Sequence, residues 1–341
     1  MAFKALCGFC CGVGIFLFSV VQMSEAMKKL CLGKLEALLQ KLCVNRFFAV
    51  LTGAAVTGLI QSSAAVTVCA TSLVDCGTLS ASQGIGIIMG SNIGTTVTGV
   101  LIALNFSAAA PFIVLFGALL SLFSKSEKLK SLGLFFCALS LLFVGIDTMK
   151  QAAAALNENG SLSSLFSLCS SKFTGLLFGF ASTALLQSSS ATVGILQSLV
   201  SVGAVGRKAA IFIICGQNIG ATVPTLLSAL HSNEKAKATA LFHLLFNFFG
   251  TALVFLLSLF IPVEALFSKI GDGAAFVSLF HLLFNAAGTA AVFPFSLSLL
   301  RLSSALTEKS THANQLFITK IKALLKLGNG VKIHKNFSKF L

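Results

Sequence analysis

Residues 57–63 read TGLIQSS and residues 183–190 read TALLQSSS. A glutamine followed by serines stands in the middle of an apolar segment, twice, at the same place in each. The surroundings make that placement costly. Of 341 residues, 56% are hydrophobic and only 10% charged, where a soluble domain carries about a quarter charged residues. Apolar stretches near 6–23, 81–104, 107–123, 132–149, 207–230, 239–261 and 276–299 each come close to the ~20 residues a helix needs to cross the hydrocarbon of a bilayer. The chain reads as an all-α integral membrane protein with seven crossings. The segments that hold the two quoted stretches, 47–74 and 173–200, are left either crossing or re-entrant. A β-barrel does not fit, because its strands would alternate apolar and polar residues and these stretches are apolar all round.

The two stretches belong to an internal repeat. Shifting the chain by 126 residues aligns Gln61 with Gln187, Gly77 with Gly203, Asn92 with Asn218 and Thr96 with Thr222, and 22 of 48 positions are identical between 57–104 and 183–230 without a gap. Met23 and Met149 keep the same offset in the helices that open the units. Each unit reads as an opening helix, an amphipathic or irregular segment, the Gln-Ser-Ser segment, a Gly-broken helix and a closing helix. Duplicated halves of this kind are a transporter signature, with the site at the repeat interface. If each Gln-Ser-Ser segment is a re-entrant hairpin, each half crosses three times and the second half is inverted. The expected organisation is a first transport repeat over 1–123, a second over 132–261, an additional C-terminal transmembrane helix over 273–300 and a basic cytoplasmic tail over 301–341. A second repeat lies at an offset of 38, where FHLLFNFFGTALVF (242–255) and FHLLFNAAGTAAVF (280–293) agree at 11 of 14 positions. His243 and Asn247, like His281 and Asn285, share one helical face, which suits helix-to-helix hydrogen bonding or a part in ion access.

In a membrane every backbone N–H and C=O needs a partner, so an irregular centre survives only where it is buried in protein or lines a wet cavity. Two short arms meeting at Gln-Ser-Ser fit a hairpin that dips to mid-membrane. At its tip one helix ends and another begins. Free carbonyls suit Na+ there and free N–H groups suit an anion, while serine can cap the second arm or bind either ion. The following helices carry GSNIGTT at 90–96 and GQNIGAT at 216–222; two glycines about an asparagine are expected to weaken the helix and expose oxygens beside a break. The competing reading has the serines bonding back to their own helix so that neighbours pack closely. The duplication of both motifs at one offset favours a site.

Of the ten acidic residues only Asp75 and Asp147 come near a span, both towards an end. That argues against a proton pump built on buried carboxylates. Apart from Arg207 and Lys208 at the very start of 207–230, no lysine or arginine lies within the apolar stretches, so a bound anion would need co-bound Na+ and helix dipoles to offset its charge, which couples the two ions. The net charge of +14 follows from orientation and calls for no nucleic-acid partner. With hairpins at both Gln-Ser-Ser segments, 18 basic residues fall on the inner side and 6 outside; with both segments crossing the division is 17 to 7. Either count puts the tail in the cytoplasm. The first apolar stretch lacks a small-residue cleavage site and reads as a retained helix. Cys7 and Cys10 form a C-x-x-C without a second pair or a nearby histidine, which suits helix packing better than zinc. There is no Trp and no Tyr, so Phe, present 33 times, together with Lys and Arg must anchor the interfaces.

At these residues the sequence resembles the type II sodium/phosphate cotransporter family, and its bacterial members in particular. The resemblance rests on Gln187-Ser188-Ser189-Ser190, on Gly90-Ser91-Asn92-Ile93-Gly94-Thr95 and Gly216-Gln217-Asn218-Ile219-Gly220-Ala221, and on the H-x-L-F-N elements at His243 and His281. It spans roughly residues 10–300. It implies a multi-pass cell-membrane protein that moves inorganic phosphate with Na+ as coupling ion by alternating access, with no cofactor and no catalytic residue. It further implies that Gln61, Ser62, Ser63, Gln187, Ser188, Ser189 and Ser190 line a central site for phosphate and Na+, supported by Asn92, Thr95, Thr96, Asn218 and Thr222. Two departures bear on Na+ stoichiometry: Ala64 stands where the family has a third serine, and Ala221 where it has a threonine. Carriage of another small anion, phosphate export, a membrane serine hydrolase and a non-transporting scaffold are the alternatives. The hydrolase lacks a G-x-S-x-G elbow.

Overall fold

The computed structural model describes residues 2–31, 35–158, 160–267 and 269–309. Fourteen α-helices follow in order: α1 (Ala2–Cys31), α2 (Leu35–Leu42), α3 (Arg46–Ile60), α4 (Ser63–Asp75), α5 (Ala81–Ala103), α6 (Ala110–Phe123), α7 (Glu127–Asn157), α8 (Ser161–Phe166), α9 (Lys172–Leu186), α10 (Ser189–Ser201), α11 (Arg207–Gly220), α12 (Val223–Ser228), α13 (Glu234–Phe260) and α14 (Gly273–Val292). After a 3-10 turn at Phe293–Phe295 the last helix runs on to Lys309. Nearly all described residues are helical and none is in a strand. Among the described residues, seven helices are long and apolar enough to cross a membrane: Ala2–Cys31, Ala81–Ala103, Phe106–Phe123, Glu127–Asn157, Arg207–Ser228, Glu234–Phe260 and Gly273–Lys309. They coincide one for one with the seven apolar stretches. Residues 301–309 of the expected tail continue the last helix; residues 310–341 lie outside the described residues. Bulky apolar side chains such as Phe112, Leu122, Phe123 and Phe260 point outward, a surface that belongs in lipid and not in water.

The segments 47–74 and 173–200 each form two short helices with a sharp junction, α3 to α4 at Gln61-Ser62 and α9 to α10 at Gln187-Ser188. Hydrogen bonds show where their far ends lie. Arg46, at the start of α3, donates to Ser296 Oγ (2.6 Å), and Asp75, at the end of α4, accepts from Asn233 at the start of α13 (2.7 Å). Lys172, at the start of α9, donates to Ser258 near the end of α13 (2.8 Å), while Arg207, just past α10, donates to the Phe267, Ile270 and Gly271 carbonyls ahead of α14. Helix α13 has 27 residues and is therefore about 40 Å long. Cys43 and Ala49, on either side of Arg46, share a core cluster with Ala236 in the first turn of α13, so both ends of the α3–α4 pair sit towards the start of α13, and both ends of the α9–α10 pair towards its finish.

Helix α3 packs along α5, and α9 along α11. Glycine sets both approaches. A Cβ on Gly90 would fall on the Val50 carbonyl oxygen, and one on Gly216 on the Leu176 carbonyl oxygen. The G-x-N-I-G glycines therefore do not break the first helix as expected: α5 is continuous from Ala81 to Ala103. The backbone cost of glycine within a helix, about 1 kcal/mol per residue, is offset by the close helix contact it admits. The second copy does break, with α11 ending at Gly220 and α12 starting at Val223. Its cause is Pro224, which has no N–H to donate and whose ring crowds the carbonyl four residues back.

The two sequence repeats interlock. Thr251 of α13 donates to the Cys215 carbonyl and Thr289 of α14 to the Met89 carbonyl, each at 3.4 Å. Cys215 and Met89 are 126 apart and the threonines 38 apart. Lys172 with Ser258 and Arg46 with Ser296 repeat the same two offsets. Thus α13 stands against α9 and α11 much as α14 and its continuation stand against α3 and α5.

Candidate functional site

At each junction the backbone turns in the same way. Gln61 (φ 60°) and Gln187 (φ 51°) adopt the left-handed conformation that closes α3 and α9, a position usually filled by glycine. A longer side chain held there carries local strain, which proteins retain chiefly at functional sites. The next residue then starts a new helix: Ser62 Oγ accepts from the Ala65 N–H and Ser188 Oγ from the Ala191 N–H, both at 3.3 Å. The N–H groups of Ser63, Ala64, Ser189 and Ser190 stand in the first turns of α4 and α10, where a helix leaves its donors without internal partners.

The two junctions meet. Gln61, Ser62, Ser63 and Ala64 share one cavity of about 210 Å3 with Leu186, Gln187, Ser188, Ser189 and Ser190. A larger cavity of about 270 Å3, near Lys172, Lys208 and Ser258, shares no residue with it. Thr98 on α5 bridges the tips, donating to Gln61 Oε1 and lying 3.3 Å from Ser190 Oγ. Gln61 in turn donates to the Gly58 carbonyl. In the second half the position equivalent to Thr98 is Pro224, so Gln187 receives no such bond and is exposed. Sequence reasoning passed over Thr98. The available signal was its position seven residues after Ser91, on the same helical face.

The remaining predicted residues are buried but do not line this cavity. Thr95 and Thr96 donate to the Ser91 and Ile93 carbonyls, Asn218 to the Ile214 carbonyl and Thr222 to the Ile219 carbonyl, all within their own helices or the adjoining turn. Asn92 Oδ1 lies 3.3 Å from His243 Nε2. The other nitrogen, Nδ1, is 3.3 Å from Thr225 Oγ1, which is 2.8 Å from Thr67 Oγ1. A proton on Nε2 satisfies this chain, with Asn92 and Nδ1 as acceptors. The chain ties α5, α13, α12 and α4 together, so at His243 helix-to-helix bonding is realised. Asn92 Nδ2, Asn247 Oδ1, Gln217 Oε1 and Asn285 Oδ1 are buried without a protein partner.

The cavity has a third wall that the motifs did not indicate. Val20, Val21, Ser24, Glu25 and Lys28 of α1 complete its lining. Two helix N-termini and two glutamine-closed C-termini thus converge on one cavity, which suits an anion at the former and a cation at the latter.

The Na+/Pi-cotransporter family profile matches residues 15–151 and 153–284. Protein YqeW of Bacillus subtilis (strain 168) is 31% identical over 240 residues, 70% of this chain and 78% of its own length. The "Putative inorganic phosphate export protein YjbB" of Escherichia coli (strain K12) is 24% identical over 223 residues, 65% of this chain and 41% of its own. Sodium-dependent phosphate transport protein 2A of Oryctolagus cuniculus is 44% identical over 61 residues, 18% of this chain and 10% of that one. No solved structure matches. With the family profile covering most of its length, this multi-pass membrane protein belongs to the Na+/Pi-cotransporter family, a family of transporters and not of enzymes.

Proposed function

We propose that the protein carries inorganic phosphate together with Na+ across the cell membrane by alternating access, binding both between the Gln61–Ser63 and Gln187–Ser190 tips. One observation carries the reading: two serine-capped helix starts face the same cavity from opposite halves. Phosphate is an anion with several acceptor oxygens, and the serine hydroxyls and first-turn N–H groups supply donors. The glutamine carbonyl side and the helix ends suit Na+. With no mid-membrane carboxylate or lysine at the tips, each ion offsets the charge of the other, and the two bind cooperatively. The α3–α4 and α9–α10 pairs act as re-entrant hairpins from opposite faces, supported by the hydrogen bonds that tie their far ends to opposite ends of α13. The basic residues at the Lys28, Arg46 and Lys235 end support a cytoplasmic assignment of that face.

The names of the rabbit and E. coli relatives support phosphate as cargo and leave direction to be measured. Purified protein in proteoliposomes is expected to move radiolabelled phosphate when a Na+ gradient is imposed. Flux driven by a gradient in one sense only fixes the direction. No flux under either gradient would falsify the reading, and stronger competition by sulfate than by arsenate would reassign the anion. Each net charge moved gains ~2.3 kcal/mol per 100 mV, so voltage dependence reports the stoichiometry.

A further inference from the structure

Helix α1 ends in a charged turn that is ordinary for a membrane helix, basic residues at a C-terminus being favoured by the helix dipole. Its place in the fold is not ordinary. Lys28 and Glu25 line the same cavity as the two tips and are held together at 2.8 Å. One turn further in, Ser24 lines it too: its hydroxyl is buried and has no protein partner, with the residue 7% exposed. Val20 and Val21 continue the wall. From Lys28 to Val20 the helix advances about 12 Å, so the cavity reaches from the charged end of α1 towards the tips. The positions 126 later, Lys150, Gln151 and Ala154 on α7, are absent from its lining. The lining is thus one-sided, with α1 contributing to it and the matching positions of α7 not.

We propose that Ser24 and Lys28 form an entry subsite for the transported oxyanion on the side where α1 ends, with the Glu25 carboxylate occupying the Lys28 ammonium until the anion replaces it. This rests on the transport reading above for the identity of the anion, inorganic phosphate. A carboxylate on a lysine has the charge and acceptor geometry of an oxyanion on the same lysine. Exchange keeps the ammonium paired throughout, while the displaced Glu25 carboxylate, on a half-exposed side chain, passes to solvent. Ser24 then donates its free hydroxyl one turn deeper, on the way to the serines of the tips. The subsite supplies the cationic group that the tips lack. A structural role for the ion pair alone would make Glu25→Gln and Lys28→Gln equivalent, since either breaks it; the entry role gives them opposite signs.

The test uses full-length protein with Ala64→Cys at the first tip. Modification of residue 64 by an anionic and a cationic methanethiosulfonate is followed by mass spectrometry, so the native cysteines can stay. In the Ala64→Cys protein, Glu25→Gln is expected to raise the anionic-to-cationic rate ratio and Lys28→Gln to lower it, each roughly three- to tenfold. Lys28→Arg should keep the parent ratio. In proteoliposomes without the reporter cysteine, Lys28→Gln should raise the phosphate KM by a similar factor with kcat held, and the difference should shrink at high salt. Equal ratios in all variants, or the same shift for Glu25→Gln and Lys28→Gln, overturn the proposal. So does a Lys28→Gln effect on kcat with KM unchanged. Absence of phosphate flux in the parent protein overturns the transport reading instead, while the labelling ratios still decide whether α1 presents an anion subsite.

Discussion

The tips differ in one residue and in one partner. Ala64 has Ser190 as its counterpart, and Ser190 is the serine that approaches Thr98. Thr98→Val removes a hydroxyl that reaches both tips. It is expected to weaken phosphate binding about fivefold, the equivalent of one ordinary hydrogen bond of about 1 kcal/mol, with Thr98→Ser restoring it; the KM for uptake measures this. Ala64→Ser adds a hydroxyl in the first turn of α4 and is expected to steepen the Na+ dependence of uptake, read as a higher Hill coefficient. Ser62→Ala and Ser188→Ala each remove a cap worth about 1 kcal/mol, so both should lower thermal stability by similar amounts while abolishing transport. The cap residues were legible in the sequence, because capping is a local property of the residue and its next three neighbours. Thr98 was not, since what singles it out is contact with Gln61 and Ser190, 37 and 92 residues away.

Among the elements, the helices that carry the N-I-G motifs depart furthest from expectation. Glycine within a helix has two readings, a weak point or a close contact, and sequence alone does not choose between them. The structure chooses contact for Gly90, against Val50, and for Gly216, against Leu176. Gly90→Ala and Gly216→Ala are therefore expected to cost several kcal/mol, because backbone and not a flexible side chain stands in the way. Loss of monodisperse protein on size exclusion is the readout. Gly14→Ala, where a Cβ would meet nothing within 4 Å, is the matched control and should leave the protein as stable as the parent. The break that does occur, between α11 and α12, comes from Pro224, a signal present in the sequence and outweighed there by the motif symmetry.

Across the whole molecule, the proposed inversion of the two halves has a direct test. Ser63 and Ser189 cannot report it, because both line one cavity and a reagent entering that cavity would reach both. The hairpin roots can. Cys76 closes α4 and Val202 closes α10 at equivalent positions. Native Cys76 and a Val202→Cys variant are expected to react with impermeant thiol reagents from opposite faces of the membrane. Reaction of both from one face would place the halves in parallel. Helix α14, read from the sequence as an addition after the second half, stands in the fold as the partner of α3 and α5 through Thr289 and Ser296. Its likeness to α13 was legible at an offset of 38, but its place beside the first half was not.

The sequence by itself determined the membrane class, the seven apolar helices, the duplicated Gln-Ser-Ser turns and the serines that start α4 and α10. These follow from hydropathy, capping and self-similarity, which act over a few residues or can be compared along the chain. Only the tertiary structure decided that the two turns face each other, that Thr98 joins them, that glycine serves contact in α5, and that α1 brings Ser24, Glu25 and Lys28 to the same cavity. Each of these depends on which helix surfaces meet. In a chain apolar on nearly every face, hydropathy periodicity carries little information about which surfaces those are.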